Sequence, residues 1–158
     1  MRLRARPLTP EAFAPYGEVL TPPREPGRAY FEDALTNGRP GARPSFSLSH
    51  RVALEQPVLH SDLFERHEFS SQTFVPLDVS RWLIVVCPHA TTGGPDATKA
   101  VAFVAGASQG VTYRANTWHH GLTVFDRAAR FAIFMWRDGG PTDEEFVKVP
   151  PFTVTVDD

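Results

Sequence analysis

The run Arg81-Trp82-Leu83-Ile84-Val85-Val86 decides the fold class of this sequence. Its apolar residues follow one another without polar interruption and are rich in β-branched side chains, which predicts a short strand buried on both faces. The chain is therefore expected to be built around an internal strand of a larger β structure.

Further short segments on both sides of this run have the composition of strands. Residues 45–49 and 152–156 alternate polar and apolar side chains, as half-buried strands do. Other predicted strands cover residues 59–69, 72–75, 100–105, 111–115, 122–125 and 131–136. Short strands at such intervals are typical of barrels and sandwiches, so we predict an all-β antiparallel barrel or jelly roll.

Helix is predicted at two places only. Thr9 followed by Pro10 and Glu11 has the order of a capping hydroxyl, a first-turn proline and an acid, which predicts a short N-terminal helix. Residues 142–146 also have a helical composition. Between these segments, residues 21–44 are rich in proline, glycine and charge, which predicts a long loop of a kind that is often functional.

Composition limits the class of protein. A chain of 158 residues with 42% hydrophobic residues fits a single globular domain, 1–158. No apolar run approaches the roughly 20 residues that cross a bilayer, and the net charge of -2 gives no reason to expect nucleic acid or an anionic membrane as partner. The single cysteine, Cys87, cannot form an internal disulfide and is interpreted as a buried apolar residue. We expect a cytoplasmic protein with a small-molecule substrate.

Two clusters of residues have side chains suited to chemistry. In the first, Glu65 and His67 share one face of a predicted strand, and Gln72 follows. In the second, residues 116–121, His119 and His120 are adjacent and must project to opposite faces. A carboxylate beside an imidazole could bind a divalent metal or act as a general base with its orienting group. For the first cluster the alternative is a solvated face with an incidental histidine. For the second cluster the alternative is a hydrogen-bonded structural histidine inside the barrel.

The two clusters together resemble the two metal-binding motifs of cupins. Glu65-x-His67-x4-Gln72 has the spacing of the first motif, and residues 113–119 resemble the second, with His119 at the ligand position. Glu65 and Gln72 depart from the usual histidine and glutamate. The resemblance implies a cupin-like fold and a metal set of Glu65, His67, Gln72 and His119, holding Ni, Mn or Zn if a metal is bound at all.

Four segments resemble the ureidoglycolate lyase family in order and spacing, and they span nearly the whole chain. They are LTPEAFAPYG at 8–17, ERH at 65–67 continuing to QTFVPL at 72–77, QGVTY at 109–113, and WHH at 118–120. The resemblance implies a homodimeric carbon–nitrogen (amidine) lyase that cleaves (S)-ureidoglycolate to glyoxylate and urea in purine (allantoin) degradation. Part of the family's NNG segment is matched by Asn37-Gly38, which implies a position at the edge of the pocket.

This chemistry needs a base for a hydroxyl proton and an acid for a leaving nitrogen, and imidazole suits either role. The predicted catalytic residues are His67, His119 and Glu65: either His67 or His119 takes the hydroxyl proton, and Glu65 orients that imidazole. Arg39, Arg43, Arg66 and Lys99 are candidates for holding a substrate carboxylate. Contacts with the substrate are predicted for Gln72, Asn37, Tyr113, Trp118, His120 and Arg66.

Two other functions fit the same residues. Another cupin enzyme, a metal-dependent dioxygenase or isomerase, would require stoichiometric metal. A non-catalytic cupin domain that binds a small acid would be stabilised by its ligand without turnover.

Overall fold

The computed structural model describes residues 1–157. Its elements in chain order are β1 (Arg2–Arg4), β2 (Arg6–Pro7), α1 (Pro10–Phe13), β3 (Gly17–Leu20), β4 (Arg43–Arg51), β5 (Val58–His67), β6 (Gln72–Pro76), β7 (Arg81–Cys87), a 3₁₀ turn (Ala97–Lys99), β8 (Val101–Gly106), β9 (Gly110–Tyr113), β10 (Trp118–His119), β11 (Thr123–Phe125), β12 (Ala129–Arg137) and β13 (Glu144–Thr155).

The strands form two sheets. The larger has the order β1-β13-β5-β10-β7-β8-β2, with β11 also pairing with β7, and the smaller has the order β3-β9-β6-β12-β4. The consecutive strands β1 and β2 pair in parallel with β13 and β8, near the two edges of the larger sheet. The larger sheet therefore curls into a nearly closed barrel, and the fold is all-β and cupin-like, as predicted.

Strand β7 lies between two apolar cores. Trp82, Ile84 and Val86 pack with residues of the smaller sheet in a core between the two sheets. Leu83, Val85 and Cys87 point the other way, into a second core formed within the larger sheet. The prediction of a strand buried on both faces is thus confirmed.

Cys87 is buried, as its sequence context predicts. Burial raises the pKa of its thiol to about 12, so the thiolate nucleophile is not formed at neutral pH.

The N-terminal helix is confirmed and the second predicted helix is wrong. Thr9 caps α1 by accepting a hydrogen bond from the Ala12 amide. Residues 144–148, by contrast, begin β13 and pair with residues 63–67 of β5. Strand pairing outweighs the helical composition of residues 142–146 because it joins the segment to an existing sheet. No helix among residues 1–157 is long and apolar enough to span a membrane.

The end of the long loop docks onto the segment between β5 and β6. Asn37 forms a bridge with Ser70, and the Gly38 amide donates to the Phe69 carbonyl at 2.7 Å. A Cβ atom on Gly38 would lie 3.1 Å from that carbonyl oxygen, so the approach favours glycine. This docking carries Arg39 to the end of the inter-sheet space at which His67 lies.

Candidate active site

Strand pairing brings the two predicted clusters together. Glu65 on β5 and His119 on β10 are direct partners in the larger sheet, and His67 follows Glu65 on the same face. The rings of His67 and His119 have centroids 5.8 Å apart. Both imidazoles are buried, so the predicted juxtaposition of Glu65, His67 and His119 is present in the structure.

His119 is held by contacts on three sides. Its ring stacks on Tyr113 at 4.2 Å, and its Nδ1 lies 2.9 Å from the Thr117 carbonyl. A carbonyl only accepts hydrogen bonds, so Nδ1 bears a proton and Nε2 faces Glu65, with 3.3 Å between Nε2 and Oε1. That contact is at ion-pair distance without hydrogen-bond alignment.

The Glu65 carboxyl favours its ionised form. Burial alone would raise its pKa. The contact with His119 and the nearby imidazoles of His67 and His120 lower the pKa by more than burial raises it, so it lies below its ordinary value. A carboxylate at this position can orient the His119 imidazole.

His67 is the imidazole without partners. Neither ring nitrogen has a hydrogen-bond partner among the described residues. Burial, followed by the proximity of His119, lowers the pKa of His67 to about 4 in spite of the opposing charges of Glu65 and Asp143. At neutral pH the ring is therefore unprotonated and has one lone pair and one N–H available for a ligand.

A cavity of about 190 Å³ opens beside His67, at one end of the space between the two sheets. Gln72 of β6 and Met135 of β12 are paired across the smaller sheet, and Ser45 of β4 is paired with Met135, so the three share the inward face. The cavity is lined by Arg39, Ser45, Ser47, His67, Gln72, Met135, Arg137, Asp138, Gly140, Pro141, Asp143 and Glu144.

Buried polar atoms without partners are concentrated at this cavity. Of the eight such side-chain atoms among the described residues, five belong to its lining: Arg39 Nε, both ring nitrogens of His67, Gln72 Oε1 and Asp143 Oδ2. Buried polar groups are nearly always hydrogen-bonded in folded proteins. Their concentration at one cavity indicates a site that is completed by a polar ligand.

Arg39 and two aspartates form an ion-pair network in the cavity wall. Arg39 Nη1 lies 2.6 Å from Asp138 Oδ2, and Nη2 lies 3.2 Å from Asp143 Oδ2. The other Asp143 oxygen accepts a hydrogen bond from the Phe69 amide at 2.7 Å. The sequence indicated Arg39 only as one of four basic candidates. Neither aspartate was predicted, because Asp143 lies within a stretch interpreted as helix and Asp138 lies just before it.

Two residues predicted to bind the substrate point to the opposite side of the sheet. Trp118 lies in the core of the larger sheet, and its indole N–H donates to His89 Nδ1. Arg66 lies over the Trp118 ring and pairs with Glu145 at 2.6 Å. Neither lines the cavity, because strand alternation sends the neighbours of His67 and His119 away from it.

Three further predicted residues are also outside the lining. The ring of His120 packs at right angles to Phe152, and its Nδ1 lies 2.9 Å from the Gly121 carbonyl. Tyr113 lies behind His119 as its stacking partner. The Asn37 side chain accepts a hydrogen bond from the Arg39 amide at 3.1 Å and so shapes the loop that presents Arg39. Of the six predicted substrate contacts, only Gln72 reaches the cavity.

Three members of the predicted metal set, Glu65, His67 and His119, lie next to one another without forming a preassembled metal centre. Residues 1–157 contain no group of three or more His, Cys, Asp or Glu side chains spaced to hold a metal ion. His119 Nδ1 is occupied by the Thr117 carbonyl, whereas its Nε2 lies 3.3 Å from Glu65 Oε1. The ring nitrogens of His67 and Gln72 Oε1 have no partner among the described residues. A metal requirement stays a prediction.

Comparison with known proteins identifies the family. The model of the ureidoglycolate lyase family matches residues 1–155. A protein of Agrobacterium fabrum is 43% identical over 135 residues, which are 85% of this chain and 83% of the relative. Proteins named ureidoglycolate lyase in Mesorhizobium japonicum and Schizosaccharomyces pombe are 37% and 30% identical; the alignments cover 92% and 90% of this chain and 92% and 88% of those relatives. Because the family model matches nearly the whole length of this chain, the chain belongs to the ureidoglycolate lyase family.

Proposed function

We propose that this protein cleaves (S)-ureidoglycolate to glyoxylate and urea in its inter-sheet cavity, with His67 as the group that moves the proton. One observation carries the proposal. A buried imidazole with no partner on either nitrogen borders a small cavity whose wall holds further unpartnered polar atoms. Family membership supports the choice of substrate.

The reaction requires one proton to move from oxygen to nitrogen. One carbon of ureidoglycolate bears a hydroxyl, a ureido nitrogen and a carboxylate. As the hydroxyl loses its proton, the carbon–oxygen bond becomes a carbonyl and the carbon–nitrogen bond breaks. The departing nitrogen takes up a proton to give urea, so the reaction needs no other reactant.

His67 can perform both proton transfers. Its lone pair accepts the hydroxyl proton, and the imidazolium then protonates the leaving nitrogen. The lowered pKa, about 4, makes the imidazolium a strong acid toward the weakly basic ureido nitrogen. General acid or base catalysis by one such group contributes roughly 10²- to 10⁴-fold in rate.

The neighbouring side chains position the reactants. Glu65 contacts the His119 imidazole, and the His119 ring lies beside that of His67. Glu65 and His119 are therefore positioning residues for His67. Gln72 Oε1 is an acceptor for ureido N–H. Arg137 has no carboxylate within ion-pair distance among the described residues, whereas Arg39 is paired twice, so Arg137 is the better placed cation for the substrate carboxylate.

A turnover assay tests the proposal. Metal-stripped and metal-supplemented protein are each incubated with racemic ureidoglycolate, and glyoxylate and urea are followed above the spontaneous rate. We expect equimolar release of both products, with half of the racemate consumed. Ligand-dependent thermal stabilisation without turnover would instead identify a binding domain, and oxygen uptake or activity in the supplemented sample alone would identify a metal-dependent enzyme.

The outer face of the smaller sheet supports a homodimer. Phe46 and Phe134 are cross-strand partners on this face, as are Leu48 and Ala132. Phe46 and Leu48 are 70% and 69% exposed, which is unusual for adjacent large apolar side chains. A second copy of the chain on this face would cover the apolar side chains.

The cellular setting completes the proposal. Ureidoglycolate is an intermediate of allantoin breakdown, which supports a role of the protein in purine degradation. A single buried cysteine suits the reducing cytoplasm.

A further inference from the structure

The lining of the cavity contains an acceptor that the proposed mechanism leaves unused. Asp143 has a side chain only 8% exposed, and its Oδ2 receives no hydrogen bond from residues 1–157. Its Oδ1 is occupied by the Phe69 amide, which fixes the plane of the carboxylate. The unpartnered oxygen is thus rigidly placed, since the carboxylate cannot rotate without breaking the bond to Phe69.

Arg39 balances the negative charge of Asp143 within the cavity wall. Arg39 Nη2 lies 3.2 Å from Oδ2 but is not aligned to donate a hydrogen bond to it. The guanidinium therefore supports a carboxylate at this site and leaves the lone pairs of Oδ2 open. What is missing from this arrangement is an N–H or O–H donor on the cavity side.

Gln72 offers a second acceptor of the same kind. Its Oε1 is also buried, without a partner, and part of the same lining. Two unpartnered acceptors are matched by a group with two N–H bonds on one atom. In ureidoglycolate the terminal amino group of the ureido unit is such a group, whereas the inner nitrogen must face the proton donor.

We infer that Asp143 is a specificity-determining residue, whose Oδ2 accepts a hydrogen bond from the terminal amino group of the ureido unit. This inference rests on the proposed function. A substrate with a methyl group in place of that amino group would leave a buried carboxylate oxygen unpaired, which is costly. The wall thus selects ureido compounds over amides of the same shape.

Two stable compounds isolate this contact. Ureidoacetate retains the ureido unit and the carboxylate but lacks the hydroxyl, so it cannot react. N-acetylglycine has the same charge and nearly the same shape, with methyl replacing the terminal amino group. Calorimetric titration of the wild-type protein should give a dissociation constant for ureidoacetate roughly 10- to 100-fold lower than for N-acetylglycine, as a hydrogen bond to a charged group predicts.

Asp143→Asn should abolish that preference. The asparagine oxygen can still accept from the Phe69 amide, and its NH₂ then presents a donor where the substrate needs an acceptor. The ratio of the two dissociation constants should fall to about one. Asp143→Ser retains an acceptor for the Phe69 amide without the second oxygen, and it should give the same loss if the asparagine variant does not fold.

Asp138→Asn is the matched control. Asp138 also pairs with Arg39, at 2.6 Å, but its Oδ1 accepts from the Gly140 amide and neither oxygen is unpartnered. Its replacement should change both dissociation constants by less than about fivefold and leave their ratio unchanged. An equal loss of preference in this variant would assign the effect to Arg39 and overturn the inference.

The failure of this inference is distinct from failure of the proposed function. Wild-type protein that cleaves ureidoglycolate but binds the two compounds equally contradicts the role of Asp143 alone. A retained preference in a folded Asp143→Asn variant does the same. Absence of turnover by the wild-type protein contradicts the proposed function.

Discussion

His67 combines burial with the absence of any hydrogen-bond partner. Solvent-exposed imidazoles hydrogen-bond to water, and buried ones normally bond to the protein. His67 lines a cavity and neither of its nitrogens has a partner among the described residues, and burial with the neighbouring His119 lowers its pKa to about 4. The low pKa of His67 reduces the stability of the fold at low pH, because the same imidazole in the unfolded chain is protonated near its ordinary pKa.

Acid should therefore destabilise the fold through His67. Between pH 6.5 and about 4 the unfolded chain binds a proton that the folded chain does not, so the free energy of unfolding falls as pH decreases through this window. The shift corresponds to about 3 kcal/mol between pH 7 and pH 4. Urea denaturation at the two pH values should show this loss in the wild type and in His50→Asn, an exposed histidine, and a smaller loss in His67→Asn. Equal losses in all three proteins would exclude the effect.

At the scale of elements, the sequence predicted strands that contain a clear apolar or alternating run, and it missed the two-residue strands and the first half of β13. A run such as 81–86 has enough residues for its apolar character to be diagnostic, and β7 occupies it. Strands β2 and β10 have two residues each, which is too short for any periodicity. Their existence depends on partners far away in the sequence.

Some residues of the candidate site are likewise recognisable from local sequence, whereas others depend on contacts between distant segments. Glu65, His67 and His119 were predictable because strand alternation and motif spacing place them on one face. Arg39 and Asp143 were not predictable as a pair, because a loop docking onto Phe69 brings one and the start of β13 brings the other. Their contact depends on tertiary structure alone.

Gly17 tests how closely the elements around the site are packed. It begins β3, whose partner β9 ends with Tyr113, the residue stacked on His119. A Cβ atom on Gly17 would lie 1.9 Å from the Thr112 carbonyl oxygen, so alanine must displace β3 from β9.

Gly17→Ala should lower the free energy of unfolding by about 1–3 kcal/mol, the usual cost of overpacking. Gly41→Ala is the control, since a Cβ atom there meets no atom within 4 Å, and it should change stability by less than about 0.5 kcal/mol. Chemical denaturation measures both variants. A Gly17→Ala protein as stable as the control would mean that the contact between β3 and β9 is looser than described.

The whole molecule has two different sheet faces. The inner face of the smaller sheet contributes to the cavity, whereas its outer face exposes Phe46 and Leu48. A stable dimer generally buries about 800 Å² on each partner. An apolar sheet face of this kind is a suitable centre for such an interface.

Leu48→Lys should convert a dimer to a monomer, because it places a charge among the exposed apolar side chains of this face. Light scattering coupled to size-exclusion chromatography should give twice the monomer mass for the wild type and the monomer mass for the variant. Phe146→Lys, at an exposed apolar residue of the larger sheet, should remain dimeric. A monomeric wild type, or a dimer that tolerates Leu48→Lys and dissociates with Phe146→Lys, would place the interface elsewhere or remove it.

His67 is proposed to move the proton during cleavage of ureidoglycolate, and kcat/KM of His67→Asn tests this role most directly. We expect a decrease of roughly 10²- to 10⁴-fold relative to the wild type, with the folded state retained because no hydrogen bond of the described protein depends on this imidazole. His50→Asn should retain wild-type kcat/KM. A folded His67→Asn enzyme within a few-fold of the wild-type value would contradict the claim.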